Sequence, residues 1–145
     1  MSEIHKSAVV PYSAEAMYAL VNDIAAYPEF LPWCRSTEVR NQSDTHLQAT
    51  LTLEAGKITQ SFTTENTMQP GHMIELRLVE GPFKSLSGCW KFESLSSRSS
   101  NVRLDIRFEF RNKVLKLALS KAFSHIMESL VDSFIQRARD IHGKS

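Results

Sequence analysis

The sequence predicts an α+β fold in which a curved antiparallel sheet wraps around one long C-terminal helix. Three observations lead there. The stretch from Lys113 to Ile141 contains no proline or glycine, and Gly143 follows it. On a helical wheel Leu115, Leu119, Ala122, Phe123, Ile126, Met127, Leu130, Val131, Phe134, Ala138 and Ile141 share one side, with Lys121, His125, Glu128, Asp132, Gln136 and Arg139 on the other. That apolar arc is wider than a coiled-coil seam and needs a broad apolar surface to cover it. Almost everything before it reads as β-strand, so the cover is a sheet.

Taken in order, Ile4 to Val10 is a short strand, broken by Pro11-Tyr12-Ser13. Ser13 is placed to cap a helix through about Asn22, with Met17, Leu20, Val21 and Ile24 facing the core. In the next segment Pro28 can open a short helical turn and Pro32 limits it. Tyr27, Phe30, Leu31 and Trp33 crowd this segment, which is too short to bury them by itself. Arg35 to Asn41 is a weak strand. His46 to Ala55 alternates cleanly, with Leu47, Ala49, Leu51 and Leu53 on one face. After the Gly56-Lys57 turn comes a strand from Ile58 to Thr67, and after Pro70-Gly71 another from Met73 to Val79. Gly81-Pro82 precedes a strand that places Leu86, Gly88, Trp90 and Phe92 together. The serine-rich stretch Ser94 to Asn101 reads as a hairpin loop. Val102, Leu104, Ile106, Phe108 and Phe110 then give the strongest alternation in the chain. Short connections favour antiparallel pairing, and a twisted sheet curled round a helix leaves space between the two layers.

At 145 residues the natural expectation is one domain, 1–145, large enough for a real core. The composition, 42% hydrophobic and 23% charged, is that of an ordinary globular protein. A formal net charge of +1 argues against bulk electrostatic binding of nucleic acid but leaves room for a local basic patch. Cys34 and Cys89 have no CxxC or His/Cys ligand spacing, so no metal site is expected. No apolar run reaches the roughly 20 residues a bilayer requires, and Met1 to Lys6 lacks the apolar core of a signal peptide. The expectation is a cytoplasmic protein with free thiols.

Three stretches carry a family resemblance. They are Val10-Pro11-Tyr12-Ser13-Ala14-Glu15 with Met17-Tyr18; Tyr27-Pro28-Glu29-Phe30-Leu31-Pro32-Trp33-Cys34; and Glu80-Gly81-Pro82-Phe83-Lys84 running into Gly88-Cys89-Trp90-Lys91-Phe92. Together with the element order they resemble the START-like, polyketide cyclase/dehydrase superfamily in its coenzyme Q-binding branch. Trp33 stands where close relatives often carry a small residue. The resemblance implies a helix-grip fold over essentially the whole chain. It also implies two activities, of which ligand binding is the first expectation and ribosome binding the alternative. The first is binding of ubiquinone or a similar lipid between sheet and helix, in support of respiration. The second, carried by toxin relatives, is binding of the large ribosomal subunit, which blocks subunit association and inhibits translation.

Catalysis finds little support in the residues. There is no nucleophile elbow or metal motif, and the five histidines read as solvated or structural. Glu128 and Asp132, one turn apart, read as a solvated charged face rather than paired catalytic carboxylates. The expectation is therefore a protein that is not an enzyme, with no catalytic residue and no cofactor beyond a lipid-like ligand. Tyr27, Phe30, Leu31, Trp33, Phe83, Trp90, Phe123 and Met127 are the candidate ligand-binding residues, with Tyr27 to Trp33 at the cavity mouth facing Phe83 and mid-helix. Taken singly, each aromatic is better explained by a packed core. Arg111, Lys113 and Lys116 gather at the start of the long helix, where its dipole disfavours cations. The first reading of such a cluster is a set of solvated cations at a helix end; the alternative is a contact for an anionic partner, either ribosomal RNA or the head groups of a membrane touched peripherally.

Overall fold

In a computed structural model of the chain, residues 2–143 are described. Met1, counted in the N-terminal stretch above, and the last two residues of the expected domain lie outside the described residues. The elements run β1 (Ser2–Val10), α1 (Ala14–Asn22), a 3₁₀ turn (Ile24–Glu29), β2 (Cys34–Arg40), β3 (His46–Ala55), β4 (Ile58–Gln69), β5 (Met73–Glu80), β6 (Phe83–Ser96), β7 (Ser99–Phe110) and α2 (Lys113–His142). The strands form one antiparallel sheet in the order β1-β7-β6-β5-β4-β3-β2. Five neighbouring pairs are successive hairpins, as short connections favour, and β1 ends the row by pairing with the distant β7.

Burial follows the sequence periods. Along β7 every second residue from Ser100 to Phe110 is buried. Along α2, Leu119, Phe123, Ile126, Met127, Leu130, Val131, Phe134 and Ala138 are buried against the sheet, while Leu115 is half-buried and Ile141 is exposed. Asn112 caps α2 by accepting from the Leu115 amide at 2.9 Å, and the Gly143 amide closes its other end on the Arg139 carbonyl. The Ser13 hydroxyl caps α1 by accepting from the Ala16 amide at 3.1 Å.

Two local readings are corrected. Pro28 lies inside the 3₁₀ turn rather than at its start. Its ring fixes a φ that a helical turn needs anyway, and its missing N–H costs only one bond of a six-residue element. The serine-rich stretch is mostly strand: β6 runs to Ser96 and β7 starts at Ser99. Its hydroxyls are used within the hairpin, with Ser96 Oγ 2.7 Å from Ser99 Oγ. The fully buried Ser100 donates to the Tyr12 carbonyl at 2.9 Å. Gly81 does what its position requires. It sits at φ 152°, and a Cβ there would lie 2.7 Å from Phe62 Cβ, so only glycine lets the β5–β6 turn pass so close to β4.

Candidate functional site

Between the concave sheet face and α2 lies a cavity of about 70 Å³. Phe123, Met127, Leu130 and Phe134 come from α2, spaced so that successive turns present one face. Leu51, Phe62, Ile74, Leu76, Leu86, Trp90, Leu104 and Ile106 come from inward positions of β3 to β7. Val21, Ile24, Tyr27 and Trp33 close it from α1 and the segment that follows.

Three polar groups interrupt this apolar wall. On β4, Thr64 and Asn66 share the inward register of Phe62 and Met68, and both are buried. The Thr64 hydroxyl donates to Asn66 Oδ1 at 2.8 Å. The indole N–H of Trp33 is buried with no hydrogen-bond partner, which is a standing energetic cost. Alternation could have found the β4 pair, because residues 62, 64, 66 and 68 have one parity, but polar side chains on an inward face do not announce a cavity.

Of the eight ligand-binding candidates, the structure brings Tyr27, Trp33, Trp90, Phe123 and Met127 to the cavity wall. The other three stand elsewhere. Leu31 is 1% exposed, packed in the core rather than at a mouth. Phe83 stacks on Phe110 at 5.1 Å and lies 4.9 Å from Phe123, in a separate phenylalanine cluster beside a crevice of about 20 Å³. Phe30, half-buried, packs edge-on to Tyr27 and Phe134 with the Arg137 guanidinium 4.8 Å above its ring. Arg137 also pairs with Glu29 at 3.3 Å, so this residue of α2 holds the 3₁₀ turn over the cavity. The Tyr27 hydroxyl donates to the Val21 carbonyl from full burial, which drives its pKa far above the ordinary range.

Other reactive groups are scattered. All five histidines are exposed, as are Glu128 and Asp132. Burial pushes the Cys34 thiol up to about 11 and raises that of Cys89, so neither is a ready nucleophile. Among the described residues no three His, Cys, Asp or Glu side chains are grouped to hold a metal. On the convex face His5 Nδ1 lies 2.6 Å from Asp105 Oδ1, and that bond raises the histidine's pKa. Arg103 donates to the same carboxylate at 2.8 Å and leads in lowering its pKa. The cations Arg111, Lys113 and Lys116 border a surface groove at the start of α2, joined by Lys84. No described helix is long and apolar enough to cross a membrane.

A curved antiparallel sheet gripping a long helix over an apolar space defines the helix-grip fold class. The aromatase/cyclase ZhuI from Streptomyces sp. R1128 superposes with a TM-score of 0.84 at 15% identity, covering 97% of this chain and 95% of that one, a likeness of fold alone. The family model described as polyketide cyclase / dehydrase and lipid transport matches residues 10–135, and the chain belongs to that family. Within it, the chain is 41% identical over 144 residues to the ribosome association toxin RatA of Vibrio cholerae, covering 99% of this chain and 100% of the relative. It is 39% identical over 142 residues to RatA of Pseudomonas aeruginosa, covering 98% and 99%. A more distant relative is the mitochondrial coenzyme Q-binding protein COQ10 homolog B of Xenopus laevis, 27% identical over 146 residues, covering 98% of this chain and 60% of that protein.

Proposed function

We propose that this chain acts by associating with the ribosome in the cytoplasm, and that it acts by binding rather than by catalysis. The observation that carries this reading is the 39–41% identity, over nearly the full length of both chains, to relatives named for ribosome association. In its finer form the partner is the large subunit, and the effect is inhibition of translation by blocking subunit joining. The cavity supports this order of readings. At about 70 Å³ it is far below the roughly 300–1,000 Å³ of usual small-molecule sites. The exposed, dispersed histidines and the high thiol pKa values support a binding role. Co-sedimentation with separated subunits tests the proposal. The chain is expected to pellet with large subunits and to lower the yield of joined ribosomes; a chain that stays in the supernatant with both subunits overturns it.

A second reading, binding of ubiquinone or a similar lipid, has its own observation. The unpartnered Trp33 N–H, in a wall that also carries the Thr64–Asn66 pair, offers a donor to a carbonyl oxygen at the end of an apolar ligand. Short-chain ubiquinone should then quench tryptophan emission in the intact chain and much less in Trp33→Phe. An emission spectrum indifferent to quinone removes this reading and leaves the first untouched.

A further inference from the structure

We infer that the first two turns of α2 form a docking surface for an anionic lipid bilayer. Leu117 and Val114 are 85% and 75% exposed, the two most exposed large apolar side chains among the described residues. They are one turn apart and share a helix face with Lys121. Lys113 and Lys116 flank them, and Arg111 stands just before the helix; all four cations are exposed. Among the described residues Lys113, Lys116 and Lys121 form no ion pair. From Lys113 to Met127 the sequence holds three lysines and no carboxylate; the first acid is Glu128. The one carboxylate bordering the groove, Glu109, lies 3.8 Å from Lys84.

This surface breaks two rules at once. It turns aliphatic side chains to water, and it sets cations at the helix end whose dipole repels them. One environment rewards both departures. At an anionic membrane interface, aliphatic side chains enter the acyl boundary while lysines stay among the head groups, each cation strengthening attachment roughly fivefold. RNA rewards the cations alone, since valine and leucine present no π-face on which a base can stack. A second copy meeting this face would set lysine against lysine. The surface is also firmly mounted: the Arg111 amide donates to the Pro82 carbonyl at 3.0 Å, and Asn112 caps the helix. Nothing here depends on the ribosome reading.

Flotation of the full chain with vesicles tests the assignment. The chain is expected to float with phosphatidylcholine vesicles containing phosphatidylglycerol, less so at high salt, and not with phosphatidylcholine alone. Val114→Ser with Leu117→Ser should weaken attachment about tenfold or more, and so should Lys113→Glu with Lys116→Glu. Both sites are exposed, so circular dichroism should match wild type. Failure of the wild-type chain to float with anionic vesicles overturns the inference, as does a serine variant that floats equally well. If lysine reversal abolishes large-subunit binding, the serine variant keeps it and the wild-type chain does not float, the surface is an RNA contact instead. A dimer seen by light scattering and lost in Leu117→Ser, without flotation, assigns it to a second copy.

Discussion

Phe62, Phe83, Phe108, Phe110 and Phe123 meet at one end of the helix–sheet interface with ring centroids 4.8–6.3 Å apart, whereas Tyr27, Phe30, Trp90 and Phe134 meet at the other at 5.4–6.1 Å. The spacings are alike, but the mounting is not. Every ring of the first cluster stands on β4, β6, β7 or α2, elements held by continuous hydrogen-bond ladders, and the crevice at Phe83, Phe110 and Phe123 is only about 20 Å³. Two rings of the second stand on or next to the 3₁₀ turn, which is secured to α2 by the part-exposed Arg137–Glu29 pair and the cation over Phe30. The larger cavity lies between them, bounded by Phe62 and Phe123 on one side and Tyr27, Trp90 and Phe134 on the other. On this mounting the first cluster should be the stiffer end of the interface, and the second the end that yields to admit a molecule to the cavity.

Truncation should separate the two. Phe108, 1% exposed in the fixed cluster, should lose about 3–5 kcal/mol on change to alanine, read from a denaturant series. Phe30→Ala, at the closing cluster, should cost about 1–2 kcal/mol because its ring is only half-buried. It should also raise uptake of an apolar fluorescent dye, which Phe108→Ala at equal folded fraction should not. Equal losses at the two sites would erase the distinction between a fixed and a closing end. The smallest effect lies on the convex face, remote from both clusters. The bond to Asp105 raises the His5 pKa in the folded state. Its contribution to stability is therefore complete below the unfolded value of about 6.5 and is lost as pH rises through the folded value. Proton NMR should place the His5 titration above 6.5 in the wild type and return it toward that value in Asp105→Asn, with neither aromatic cluster disturbed. A His5 titration unchanged by Asp105→Asn would sink the assignment of cause.

Most of the fold was legible because two periods do the work. The expected limits of β3 match those observed, the long helix ends within a residue of its expected C-terminus, and β7 reads directly from Val102 to Phe110. The serine hairpin was legible as a hairpin but its strand content was not, because serine is a loop former by propensity and a strand residue here only through contacts such as Ser100 with Tyr12. The candidate site was legible in kind and only partly in place. Large apolar side chains in a restricted segment point to a space under that segment, yet composition cannot say which rings interlock. Leu31 and Phe83 fill the interior, while Thr64 and Asn66, polar and easily assigned to solvent, join the cavity wall. The relative weight of quinone and ribosome was not in the residues at all. It rests on how much of the chain is shared with relatives named for the ribosome.

The pairing of β1 with β7 has a consequence in time. Ser2 lies opposite Phe108 and Val10 opposite Ser100, so the first strand to leave a ribosome waits for the last one. At synthesis rates of roughly 5–20 residues per second that wait is on the order of 5–20 s. Throughout it, β2 to β6 can zip hairpin by hairpin, but the growing sheet lacks both its terminal strand and the helix that covers it. β1 and α2 then dock within some 40 residues of further synthesis, so closure of the hydrophobic core is a late event set by long-range loop closure. Nascent chains arrested before β7 should carry an uncovered concave face and depend on chaperones, whereas chains extended far enough to free α2 should fold as a unit.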